Sequence, residues 1–408
     1  MKIFTILIAI LILEFPLTSN GFALLSHEAI IDATWDKTIK PLLKRKYPSS
    51  TEDQLNEARS YSYGGSLVPD IGYAPFGSIQ FTNLLHYVRS GDFVQAALDE
   101  AQNINEYAFG LGLLCHYNAD KYGHSLGTNI ALPLLFPKAK EKYGDTISYE
   151  LAPSQHTRTE FGFDVLQTAK GNYASDEQHD LIGFRISEPV LERAFLKTYG
   201  MEMKEVFESL PLAIETFRFA VRHMFPELTK DAWKVRKSLI TKLNPLAEQA
   251  AYTQKTDRKN YNKEFGKPQL KSSLMSLIIG ILPKIGPLAG LKFKEPTEEA
   301  ERIFDKSFAA IIVHYTASLK KLETEKIQME NINYDTGKKT SPGDYEMADK
   351  TYYKLLKKQK SKKFENMNNG LKKNLLAFYT DPKFAAAYKN KPCRLKKVSE
   401  TIEELKMQ

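Results

Sequence analysis

Cysteine is nearly absent from this chain of 408 residues: Cys115 and Cys393 are its only two, 278 positions apart. That excludes a scaffold stapled by disulfides. Cys115 follows the apolar run 111–114 and precedes His116, so it reads as a buried free thiol or as a thiolate ligand. On a helix its side chain points about 100° away from that of His116, which favours the buried thiol. Long unbroken apolar runs are also missing. The most apolar internal stretch, 274–291, is interrupted by Gly280, Pro283, Lys284, Gly286, Pro287 and Gly290, which excludes a membrane span of roughly 20 residues. It reads as a buried helix-turn element or as a membrane-docking surface. Alternating strand patterns and internal repeats are lacking as well, which argues against β and solenoid folds.

With 42% hydrophobic residues the chain has enough apolar material for a full core, and disorder is excluded. The net charge of +8 is unevenly placed. Residues 351–408 hold fifteen Lys and Arg against five Asp and Glu, a balance of +10, which leaves −2 for the other 350 residues. A basic tail on a nearly neutral body draws a protein toward anionic surfaces or simply solvates a helix face. The N-terminus reads Met1-Lys2, an apolar run 3–13, then Pro16 and Ser19-Asn20-Gly21. These are the charged, apolar and cleavage regions of a secretory signal peptide, with Glu14 and Pro16 breaking any longer span.

Helical apolar spacing predicts helices over 27–43, with Ser26 as N-cap, and over 50–60, 92–103, 105–120, 155–170, 187–199, 203–224, 229–243 and 297–323. The expected fold is mainly α, a multi-helix bundle. Loops are expected at 64–77 and 131–154, both rich in Gly or Pro. The stretch 335–344 reads as a linker, followed by a lysine-rich helical tail. The expected organisation is a signal peptide over 1–21, a catalytic domain over 22–255, a helical extension over 256–330, and linker plus tail over 331–408.

Two short segments carry the chemistry: His116-Tyr-Asn-Ala-Asp120-Lys-Tyr-Gly-His124 and His156-Thr-Arg-Thr-Glu160. Each residue of a helix advances about 100°, so 116, 120 and 124 share one face, as do 156 and 160. Five His, Asp and Glu side chains at this spacing within 45 residues form a zinc-hydrolase type of ligand set, which facing helices can assemble inside a bundle. Upstream stand three more candidates: His27, Asp70 in Val-Pro-Asp70-Ile-Gly, and His86 in Asn83-Leu-Leu-His86-Tyr. Three carboxylates, Asp70, Asp120 and Glu160, would offset the repulsion among neighbouring dications. The remaining histidines, His179, His223 and His314, fit no motif, and His314 in Ala-Ile-Ile-Val-His-Tyr is expected in the core. Glu28 and Arg158 are expected to face solvent or make local pairs, with Arg158 beside the cluster alternatively holding a phosphate.

In order, an early His, an Asp in a Pro-Asp turn, a His, His-x-x-x-Asp with a nearby His, then His-x-x-x-Glu resembles the zinc-dependent phospholipase C family. The layout is shared by fungal single-strand nucleases. The stretch His116 to Gly127 is similar to one in glycosylphosphatidylinositol-specific phospholipase D. The resemblance implies an α-helical fold around three zinc ions. Asp70, His86, His116 and Asp120 would hold the first, and His124, His156 and Glu160 the second. His27, a bridging Asp120 and the backbone amino and carbonyl groups of the mature N-terminal residue would hold the third. That residue is Phe22 if cleavage follows Gly21, and Leu24 if it follows Ala23; the family has Trp there. The Asp120 to His124 interval is shorter than in the bacterial enzymes of this family, and a break at Gly123 would let His124 reach a second metal.

The implied activity is that of an exported phosphodiester hydrolase, a phospholipase C in which a zinc-activated hydroxide attacks phosphorus and Asp70 doubles as ligand and base. The alternatives are a single-strand nuclease on the same cluster and a non-catalytic zinc-binding envelope protein. A phospholipid or another phosphodiester is the expected substrate, with membrane contact through 274–291 and the tail, no obligate nucleic acid partner, and a monomer as the working state.

Overall fold

The computed structural model describes residues 24–171, 183–249, 252, 293–324 and 328–408, the side chains of Leu24 and of 222–228 excepted. Among them the chain is helical without strands; a lone bridge pairs Ile332 with Lys339. The expected signal peptide, Phe22, His179, the side chain of His223 and the apolar stretch 274–291 lie outside the described residues.

In chain order the helices are α1 (Leu24–Thr34), α2 (Lys40–Lys46), α3 (Glu52–Leu67), α4 (Ile79–Tyr87), α5 (Ser90–Asp99), α6 (Ile104–Gly123), α7 (Asn129–Leu135) and α8 (Pro137–Tyr143). There follow α9 (Pro153–Lys170), α10 (Glu188–Tyr199), α11 (Leu210–Leu243), α12 (Glu298–Thr324), α13 (Glu346–Ser361), α14 (Asn369–Thr380), α15 (Pro382–Tyr388) and α16 (Pro392–Met407). Local chemistry starts several of them. Thr51 and Gln54 form a reciprocal capping box at α3, Ser78 accepts from the Phe81 amide at α4, and Asn103 accepts from the Glu106 amide at α6.

Ser26 departs from its expected role. The helix already runs from Leu24, and the Asp164 carboxylate of α9 supplies the acceptor, taking the Leu25 and Ser26 amides and the Ser26 hydroxyl at 3.0–3.3 Å. A first turn has no intrahelical acceptor for its amides, and a carboxylate from a neighbouring helix satisfies them as well as a local cap does. The same bonds fix α1 against α9.

Helix α6 lies at the centre, packed by α3, α5, α12 and α1. Its approach to α3 is set by two glycines. A methyl group on Gly65 would fall 2.0 Å from the Phe109 carbonyl oxygen, and one on Gly112 2.1 Å from that of Ser62. Only bare backbone lets the two helices come this close.

The helical path does not stop at Gly123, which keeps right-handed helical angles; a wider π turn, His124–Thr128, carries it into α7. The expected loop 131–154 therefore contains the end of α7 and all of α8. Pro133 is tolerated inside α7 because the carbonyl it leaves without a donor, that of Asn129, accepts from the Ile147 amide at 2.9 Å. Of the two helices expected at 203–224 and 229–243, residues 203–205 form a separate short turn and α11 holds two helical stretches that meet at a kink at Arg236, later than expected.

One core cluster runs from Ile30 to Leu405, so the inner faces of α13, α14 and α16 pack with those of α3 to α6. The stretch expected to be a linker is part of this body. Ile332, Tyr334 and Asp335 are buried, and the Tyr334 amide donates to the His86 carbonyl. Its Gly and Ser-Pro residues form tight turns, Gly337 at φ 67° and Gly343 at φ 81°, that fold the segment back onto the protein.

Candidate metal centre

His116 and Asp120 stand one turn apart on α6, His86 near the end of α4, and Asp70 in the tight turn Val68–Tyr73. Thr82 ties the last two together. Its hydroxyl donates to the Pro69 carbonyl at 2.6 Å and accepts from the Gly72 amide at 3.0 Å, clasping the turn, while its carbonyl accepts from His86 Nδ1 at 2.9 Å. A carbonyl only accepts, so Nδ1 carries the proton and the Nε2 lone pair points inward. His116 is fixed in the same way, its Nδ1 donating to the Ser66 carbonyl at 2.8 Å across the close α3–α6 crossing.

These inward nitrogens meet carboxylates. His86 Nε2 lies 3.3 Å from Asp70 Oδ1 and 3.5 Å from Asp120 Oδ2, and His116 Nε2 lies 3.1 Å from Asp120 Oδ2. The other oxygen of Asp120 faces His27 Nε2 at 3.3 Å, and the His27 ring stacks on His116 with centroids 4.6 Å apart. Asp120 therefore stands between two groups, Asp70 with His86 and His116, and His27 with His116.

His124, eight residues beyond His116, is about 12 Å further along the helix axis. It belongs to a separate group with His156 and Glu160 of α9. Glu160 Oε1 is 3.2 Å from His124 Nε2 and 3.2 Å from His156 Nδ1. His156 has the opposite tautomer from the first group, because its Nε2 donates to Asn129 Oδ1 at 3.0 Å. The Asn129 orientation is set in turn by Nδ2, which donates to the Asp335 carbonyl at 2.7 Å.

Every one of these side chains is at most 4% exposed. Yet among the described residues Asp70 Oδ1, both Asp120 oxygens, Glu160 Oε1, the Nε2 atoms of His86 and His116 and the Nδ1 of His156 have no hydrogen-bond partner. Buried polar atoms are almost always satisfied, and here the unsatisfied ones converge in three groups whose candidate ligand atoms lie within 4.8 Å of one another. Burial alone would discharge His86, but Asp70 and Asp120 beside it push it up to about 9. Burial pushes Glu160 up to about 8 and His156 down to about 4. Burial would likewise raise Asp120, but His116 and His124 hold it far below the usual carboxylate range. Anions gathered in a dry interior need either protons or cations, and the inward lone pairs suit cations. The donor set of imidazoles and carboxylates without thiolate fits zinc.

All eight side chains expected to ligate metal are brought together here; Phe22, expected to ligate through its backbone, lies outside the described residues. Cys115 is buried with Sγ 3.7 Å from the His27 carbonyl and stands in none of the three groups, and burial pushes its thiol well above the usual range. Both cysteines are free. Three other expectations are corrected or refined. Glu28 is buried and acts electrostatically on Tyr63. His314 is exposed and stacks on Tyr122 at 4.0 Å, because the inward stripe of α12 passes through Ile311 and Tyr315. Arg158 is half-buried with its guanidinium over the Phe136 ring.

Sequence patterns gave no sign of three further residues at the centre. Asn129 orients His156, Tyr334 packs against His86 and His116 with ring centroids 5.2 and 5.5 Å away, and Asp335 Oδ1 comes within 3.6 Å of His124 Nδ1. None stands at a ligand spacing.

No curated protein and no solved structure matches the chain. A family model does: residues 26–209 match that of zinc dependent phospholipase C. The match spans α1 to α10 and so takes in all eight buried ligand candidates, while Tyr334 and Asp335 lie beyond it. The buried donors call for cations of zinc's kind and the matched model supplies the chemistry, so residues 26–209 form a region of the zinc-dependent phospholipase C type, that of a phosphodiester hydrolase working with zinc.

Proposed function

We propose that this protein is an exported phospholipase C that cleaves the phosphodiester between a lipid's diacylglycerol and its head group. The observation that carries the reading is the position of Asp120, each of whose buried oxygens faces a different histidine at 3.1–3.5 Å. One carboxylate so placed suits two metals side by side. Asp70, His86, His116 and Asp120 would hold the first zinc, and His124, His156 and Glu160 the second. His27 and Asp120, with the backbone of Phe22 after cleavage, would hold the third. Bound there, zinc would lower the pKa of water toward about 7 and offset charge on the phosphoryl oxygens.

The protein's own groups prepare this chemistry. The carbonyls of Thr82 and Ser66 and the amide of Asn129 orient three imidazoles, so little reorganisation is left for the reaction. Asp70, held by the Thr82 clasp, would take a proton from the attacking water as the P–O bond to diacylglycerol breaks. The buried surroundings keep the electrostatic interactions strong.

Export is supported by the apolar run 3–13 and the small residues before Phe22. Among the described residues no helix is long and apolar enough to cross a membrane. The test is metal analysis of the purified protein together with assays on phosphatidylcholine vesicles and on single-stranded DNA. Zinc-dependent release of diacylglycerol is expected; cleavage of DNA alone would move the reading to a nuclease, and zinc-loaded protein inert on both would end it. Sequencing the mature N-terminus should find Phe22, and intact Met1 would count against both export and the third site.

A further inference from the structure

We infer that Asp335, far outside the family-matched region, is a positioning residue of the second metal group, orienting His124 with its side chain and His156 through Asn129. The inference rests on the zinc reading above and deepens it.

Among the described residues, His124 Nδ1 and Asp335 Oδ1 are both buried and without a hydrogen bond, and they face each other at 3.6 Å. His124 turns its other nitrogen to Glu160 at 3.2 Å. Metal on Nε2 and a carboxylate beside Nδ1–H is the arrangement that fixes a ligating imidazole and raises its basicity. The carboxylate is itself held from behind. Tyr87 donates its hydroxyl to Asp335 Oδ2 at 2.9 Å, Tyr345 donates to the same oxygen, and the Asp335 amide donates to Asn333 Oδ1 at 2.9 Å. Burial and the neighbouring carboxylate push both phenols well above their ordinary range, so they remain donors.

The second route uses the backbone. The Asp335 carbonyl takes one Asn129 amide hydrogen, which leaves Asn129 Oδ1 facing His156 Nε2. That choice puts the His156 lone pair on Nδ1, 3.2 Å from Glu160. A single residue thus buttresses both imidazoles of the group, one by each of its polar ends. The histidines of the first group are oriented instead by the Thr82 and Ser66 carbonyls.

The test uses the full chain, with zinc occupancy measured against free Zn²⁺ set by a chelator. Asp335→Asn keeps the shape and one acceptor but removes the charge facing His124. It should release one class of zinc at roughly 10–100-fold higher free Zn²⁺ than the wild type, leaving the tightest class in place. In Co²⁺-loaded protein the visible band of the released class should shift, and Asp335→Glu should restore part of it. Asn129→Ala, which cuts only the route to His156, should weaken the same class. An unchanged occupancy curve and Co²⁺ spectrum in folded Asp335→Asn would overturn the inference. If that variant fails to fold, an unchanged curve for Asn129→Ala overturns it instead. A wild type that takes up no zinc would refute the underlying metal reading, a separate result.

Discussion

Thr82 shows how much one hydroxyl can organise. It closes the Asp70 turn onto α4 through the Pro69 carbonyl and the Gly72 amide, both buried. Thr82→Val preserves shape but strands those two groups, so a loss of about 1–3 kcal/mol is expected in denaturant unfolding. Zinc affinity should fall with it, because Asp70 loses its fixed approach to His86. At this scale His116, Asp120, His156 and Glu160 were legible as candidates, since His-x-x-x-Asp and His-x-x-x-Glu put donors on one helix face whatever the rest of the chain does, whereas His27, Asp70 and His86 stood out only through their order along the chain. Asp335 was not legible. It is 206 positions from Asn129, its contacts with Asn129, His124 and Tyr87 are tertiary, and an Asp before Thr-Gly reads as an ordinary turn. His314 was misplaced for a related reason: an apolar neighbourhood in sequence does not say which face of α12 turns inward.

The crossing of α3 and α6 carries the next prediction. Gly65→Ala or Gly112→Ala would drive a methyl group into a facing carbonyl, at 2.0 or 2.1 Å, and neither backbone can yield without parting the helices. Overpacking of this kind costs about 1–3 kcal/mol. The Ser66 carbonyl should also draw away from His116, so both variants should show lower melting temperatures and reduced zinc retention. Helix positions were legible in the sequence from apolar periodicity, as for α9, α10 and α12. Continuity was not. The π turn after Gly123 and the proline inside α7 depend on backbone partners, such as the Ile147 amide, that periodicity cannot reveal. The division within α11 was expected at 224–229 and lies at Arg236, because periodicity does not mark where a kink falls.

For the molecule as a whole, pH reports on the buried charges. In metal-free protein His86, raised to about 9, adds stability that is complete below about 6.5, the ordinary value, and lost as pH climbs through 9. Glu160, raised to about 8, and Asp164, raised to about 7, both by burial, bind a proton in the folded state that they lack when unfolded. Their cost therefore grows as pH rises from about 4 to 8. His156, lowered to about 4, acts the other way but only up to about 6.5. The metal-free protein should consequently lose thermal stability steadily from pH 6.5 to 9. The zinc-loaded protein should hold its stability across that range, and proton release on zinc binding should be visible by calorimetry in buffers of different ionisation enthalpy. A second prediction at this scale concerns the C-terminal segment. Because one core runs through to Leu405, a chain ending at Glu330 should be insoluble or lack a cooperative transition in circular dichroism, and the family-matched region should not fold alone.

Tyr334 packs on His86 and His116, yet the ribosome delivers it long after Glu160, the last of the ligand candidates. At roughly 5–20 residues per second, the interval lasts on the order of 10–35 s. Throughout that time all eight donors exist on a chain that still lacks Tyr334, the ring that packs on two of them. The order of synthesis alone therefore places final enclosure of any captured ion after nearly the whole polypeptide has been made, which favours metal uptake in the compartment where the finished chain folds.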